Sequence, residues 1–155
     1  MTLRKLSRFL ELVPFQRRLL FEAAWRLALA RLTTATAPFR QLAADLGEPE
    51  RPERRTISWD ETGYSASAVQ VAHAVAWAVQ CAARQVPFKA VCLQQAVAAK
   101  HMLRQRGVQG VVHFGVAKDG DGRDALEIHA WLDAAGVNVT GYPLAGRYVE
   151  LACFV

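Results

Sequence analysis

The sequence predicts an α+β fold, and three observations carry it. Apolar residues recur at helical spacing through residues 3–13, 16–32, 39–46, 65–84 and 92–107. The period switches to two after residue 108. The connections between the later segments are short, so those strands are expected to run antiparallel as a meander of about four strands behind the helices. The chain of 155 residues is long enough for one folded unit with a real core.

Each element has its own justification. Val13-Pro14 breaks the first helical stretch from the second, because the residue before proline avoids helical dihedrals. The run Thr33-Thr34-Ala35-Thr36-Ala37-Pro38 is expected to end the second helix, and Gly47 to close a short third over 39–46. Residues 1–47 therefore read as a helical region, residues 48–64 as a polar loop or linker, and residues 65–155 as the core. In the helix over 65–84, Ser67, Gln70, His73, Gln80 and Arg84 form the wet stripe, which puts His73 on the surface. The helix from Cys92 ends with Arg104 and Arg106 in its last turn and Gly107 as its left-handed stop. Strands follow over 108–117, 125–133, 137–142 and 148–155, with a turn-rich loop at 118–124 whose aspartates are wrongly spaced for calcium.

Composition narrows the function. Hydrophobic residues make up 52% and charged residues 21% of the chain, which excludes a disordered chain. Cys81, Cys92 and Cys153 are odd in number and far apart, which argues against a disulfide framework and for a reducing compartment. The four histidines stand apart at 73, 101, 113 and 129, so neither a metal nor another cofactor is expected. No signal-peptide pattern is visible, and the apolar run over 19–32 is broken by Glu22, Arg26 and Arg31; the expectation is a cytoplasmic protein with no membrane insertion. The net charge of +5 sits wholly in residues 1–55, with 11 Lys/Arg against 6 Asp/Glu. Those arginines are spread along apolar helices, which favours solvated faces or a partner-docking surface over nucleic-acid binding.

Cys92 opens a helix, where free N–H groups and the positive end of the dipole stabilise a thiolate. Position alone leaves nucleophile and packing both open. His129 lies on the less apolar side of the second strand, with Glu127, Trp131 and Asp133, and an imidazole beside a thiol can shuttle its proton. The backbone N–H of Cys92 is then a candidate oxyanion donor. Cys81, mid-helix, and Cys153, on the apolar side of the last strand, read as small core residues.

Four motifs stand in order: Pro87-Phe88-Lys89-Ala90-Val91-Cys92-Leu93-Gln94-Gln95-Ala96, Leu103-Arg104-Gln105-Arg106-Gly107-Val108, His113-Phe114-Gly115-Val116 and His129-Ala130-Trp131-Leu132. Over roughly residues 65–155 the chain resembles the lasso-peptide leader peptidases, transglutaminase-like cysteine proteases of ribosomal peptide biosynthesis. The resemblance implies a transglutaminase/papain-like core in which Cys92 and His129 are catalytic. It further implies an enzyme that cuts the leader from a precursor peptide, so that an ATP-dependent macrolactam cyclase can close a ring on the new N-terminus. Stand-alone members rely on a small winged-helix-like recognition protein to deliver the leader. The expected partners are therefore the precursor peptide, that recognition protein and, as a further candidate, the cyclase, with the basic helices over 1–32 as the touching surface.

One departure concerns the third catalytic member. The family places an aspartate about a dozen residues after the histidine, where this chain has Thr140 and Gly141. Asp133 shares a face with His129 but lies roughly 13 Å along the strand. Thr140 or Asn138 is left as a weak acceptor for the imidazole N–H. The alternatives to a peptidase are an acyltransferase, in which an amine replaces water, and an inactive peptide- or partner-binding module.

Overall fold

The computed structural model describes residues 11–50, 63–118, 126–144 and 148–155. Among them are helices α1 (Pro14–Thr36), α2 (Phe39–Leu46), α3 (Ala66–Ala83) and α4 (Cys92–Arg104). The strands are β1 (Pro49–Glu50), β2 (Val111–Lys118), β3 (Leu126–Ala134), β4 (Val137–Thr140) and β5 (Val149–Phe154). The α+β expectation holds. Most of the helix read over 3–13, most of the linker and most of the loop at 118–124 lie outside the described residues.

The helix starts and stops follow local chemistry. Proline at the first position of α1 loses nothing, since its missing N–H would have no helical partner there. The helix outruns its expected end at 32, with its threonines bonded back to its own carbonyls: Thr33 to Leu29, Thr34 to Ala30 and Thr36 to Leu32. It stops where Ala37 precedes Pro38. The Ser65 hydroxyl accepts from the Ala68 N–H and caps α3. Beyond α4, Val108 N–H reaches Leu103 O and Gly107 N–H reaches Arg104 O, with Gly107 at φ +68°. That pair of bonds is a Schellman closure. Arg106 lies past the helix end and grips Glu22 of α1 through two hydrogen bonds of 2.6 and 3.0 Å.

The sheet order is β1-β5-β2-β3-β4, antiparallel throughout, so the expected plain meander is corrected. The last long strand returns to pair with β2 instead of β4. The outer side of β4 is taken by α3, whose Gln80 side chain donates to Val139 O at 3.2 Å. The return places strands in the order of a Greek key. The two residues Pro49–Glu50 pair with β5 inside the stretch read as a linker. A two-residue strand has no periodicity to read, so only tertiary pairing defines it.

α1 packs on α3 and α4, and these pack on the sheet. Leu27, Val75, Val79, Met102, Leu103, Leu132 and Val139 are fully buried in the core between those layers. α3 is long and apolar enough by composition to cross a membrane, yet Ala72, Val75, Ala76, Ala78, Val79 and Ala82 are buried against protein. Along β3, Leu132 and Ala134 join the core beneath the helices, while Leu126 and Ile128 at its start are exposed.

Candidate active site

Cys92 is the first residue of α4. Val91 before it is extended, at φ −76° and ψ 164°, and offers no side-chain cap. The first helical hydrogen bond runs from Gln95 N to Val91 O, so the N–H groups of Cys92, Leu93 and Gln94 have no partner within the helix. Two glutamines hold the chain leading into the helix. Gln94 Oε1 accepts from Val91 N–H at 3.2 Å, and its amide donates to the Thr34 hydroxyl of α1 at 3.2 Å. Gln95 Nε2 donates to Ala90 O at 2.8 Å. Sequence reasoning gave these two residues no role, although a glutamine at the third helical position is half of a capping box.

Cys92 and His129 border the same cleft, of about 420 Å³. Its other walls are Gln80, Ala83 and Arg84 at the end of α3, Gln95 of α4, and Gly141, Tyr142 and Pro143 leaving β4. Arg84 is the one formally charged side chain among these lining residues. His129 is held on three sides. Its ring stacks on Tyr148 at 4.8 Å and on Trp131 at 6.2 Å between centroids. Its Nε2 lies 2.7 Å from Gly141 O. A carbonyl only accepts, so Nε2 carries the hydrogen, and in the neutral ring the lone pair is on Nδ1. The cleft thus has on its walls a thiol at a helix start and an imidazole held by a backbone carbonyl.

The partner of His129 differs from the expected one. Thr140 pairs with Leu132 and Asn138 with Asp133, the register shifting between them, and the hydrogen bond to the imidazole comes from neither. Thr140 is buried, with no partner for its Oγ1 among the described residues; Asn138 is exposed. A two-residue turn at Ala135 and Gly136, both at positive φ, and the bulge at Leu132/Asp133 shift β4 so that Gly141 delivers its carbonyl instead. Only glycine fits there: φ is +84°, and a Cβ would stand 2.6 Å from Ala130 O and 2.7 Å from Trp131 Cβ.

Two of the histidines read as standing apart have partners. His113 is 1% exposed, its Nδ1 is 2.7 Å from Glu150 Oε1, and its ring stacks on Trp131 at 5.3 Å. Its Nε2 is 3.3 Å from Asp133 Oδ2, a close approach without hydrogen-bond geometry. His101 meets Asp45 at 2.9 Å. His73 is exposed on α3. Cys153 is fully buried, whereas Cys81 is only half-buried. Among the described residues, no group of three His, Cys, Asp or Glu side chains could hold a metal ion.

A family profile described as the transglutaminase-like superfamily matches residues 19–153. Searches of curated proteins and of solved structures return no match.

Proposed function

Because the chain belongs to the transglutaminase-like superfamily, we propose that it is a cysteine peptidase that removes the leader from a ribosomally made lasso-peptide precursor. The observation that supports this most is the cleft that Cys92 at a helix start shares with a hydrogen-bonded His129. The four motifs around these residues supply the narrower leader-peptidase reading.

In this mechanism His129 Nδ1 takes the Cys92 proton, and the sulfur attacks the scissile carbonyl. The carbonyl π bond becomes an oxyanion, which the Cys92 N–H receives at the head of α4. Collapse breaks the C–N bond, and the imidazolium returns its proton to the leaving amine, the new N-terminus of the core peptide. Water then attacks the leader thioester, with His129 as base, releasing the leader carboxylate and the free thiol. The bond from Nε2 to Gly141 O keeps the ring in one tautomer through both halves.

A separate recognition protein would bring the leader, and the outer face of α1 is where we place it. Phe21, Trp25 and Leu32 stand there 67%, 64% and 60% exposed, in line along the helix and close to Arg18. The macrolactam cyclase would act on the released product. The half-exposed thiol of Cys81 suits the reducing cytoplasm.

Superfamily membership supports amine transfer as well as hydrolysis, because both pass through the same thioester. The test incubates a precursor peptide and the recognition protein with the intact protein and with Cys92→Ala, and reads the products by mass spectrometry. A cut that needs Cys92 and adds water is the expected result. Amine adducts in place of hydrolysis would make the protein an acyltransferase, and tight binding without any Cys92-dependent product would make it a binding module.

A further inference from the structure

The catalytic sequence above uses neither Asp133 nor Tyr142, yet the Tyr142 hydroxyl donates to Asp133 Oδ1 at 2.6 Å. Tyr142 directly follows Gly141, whose carbonyl holds His129. That carbonyl lies beyond the end of β4, where the strand ladder no longer fixes the backbone. The nearest side chain in sequence that can anchor it is Tyr142, and what Tyr142 grips is β3, the strand that carries His129.

Asp133 is itself held. Its second oxygen faces His113 Nε2 at 3.3 Å, while His113 Nδ1 faces Glu150 Oε1 of β5 at 2.7 Å. The His113 ring also lies flat against Trp131, with 6° between planes, and Trp131 stacks in turn on His129. Gly115 makes room for the indole, since a Cβ there would stand 2.9 Å from it.

We infer that Asp133 and Tyr142 are positioning residues for His129. The acid acts at one remove, by fixing the peptide unit whose carbonyl accepts the imidazole N–H, in place of a carboxylate touching the ring. Residues four apart on one strand cannot touch side by side, and the Tyr142 anchor resolves that distance. The catalytic consequence rests on the proteolytic reading; the orientation of the ring does not.

The test follows the His129 Nε2–H proton by NMR in protein labelled with ¹⁵N-histidine, assigned by its loss in His129→Gln. In the intact protein it exchanges slowly with water. In Tyr142→Phe and Asp133→Ala it exchanges at least about ten-fold faster, and Asp133→Asn, which keeps an acceptor for the phenol, restores it. On a cleavable peptide, Tyr142→Phe lowers kcat about ten-fold with KM nearly unchanged, as expected for a displaced catalytic group. Should Asp133→Ala fail to fold, Tyr142→Phe decides, since it removes a single oxygen. Exchange as slow as in the intact protein, in a Tyr142→Phe variant of unaltered melting temperature, overturns the inference. So does an intact protein in which the proton is never protected, or an Asp133→Asn variant as impaired as Asp133→Ala. Faster exchange with no peptide cut by any variant upholds the positioning role and counts against proteolysis alone.

Discussion

A single backbone carbonyl, that of Gly141, accepts the hydrogen bond of the His129 ring, and its position depends on the absence of a side chain. Gly141→Ala brings a methyl to within 2.6 Å of Ala130 O in a backbone conformation that L residues avoid. The expected cost is at least ~2 kcal/mol of stability, read from urea denaturation, together with loss of cleavage. Gln94 is the second such position, because it bonds Val91 in front of Cys92 and Thr34 on α1. Gln94→Ala is expected to cost about 1 kcal/mol for each hydrogen bond lost. It should also lower kcat more than it raises KM, because the N–H groups at the head of α4 lose their alignment.

At the scale of elements, α1 and α4 are joined at both ends, by Thr34 to Gln94 and by Glu22 to Arg106. The Glu22 hydrogen bond holds the guanidinium still further above its ordinary pKa, against the opposing effect of burial. Glu22→Gln should destabilise the fold by roughly 1.5–3 kcal/mol, measurable as a lower denaturation midpoint. The described helices were legible in the sequence because proline, glycine and a 3.6-residue period mark their ends and faces. The placement of Cys92 at a helix start and of His129 on a strand was legible because each has a local signature. The partner of His129 was not, since it depends on a bulge and a turn that together set the register by tertiary packing. The pairing of β5 with β2 was also hidden, because nothing in either strand records that α3 occupies the far edge of β4. Glu22 read only as an interruption of an apolar run, since its partner lies 84 residues away.

Across the whole molecule, the cleft lies at one end of α4 and a buried lysine nearer the other. Lys100 donates to Phe154 O at 3.0 Å, and its pKa is lowered to about 8, first by burial and then by Arg104, with Asp45 and Cys153 opposing. A lysine whose folded pKa lies below its unfolded value binds fewer protons in the native state, so stability should rise as pH climbs from about 8 towards 10.5. Lys100→Met should flatten that rise in denaturation curves taken across the range. On the outer surface, the docking proposed for α1 predicts that Trp25→Glu weakens partner-dependent cleavage while leaving the reactivity of Cys92 unchanged. The central claim is that Cys92 and His129 work as a pair, and it can be read without knowing the substrate. The measurement is the rate of Cys92 alkylation by iodoacetamide across pH, by peptide mass spectrometry, in the intact protein and in His129→Ala, with buried Cys153 as internal reference. The account predicts that Cys92 reacts fastest of the three thiols at neutral pH and slows at least about ten-fold without the imidazole. Equal rates in the two proteins would contradict it.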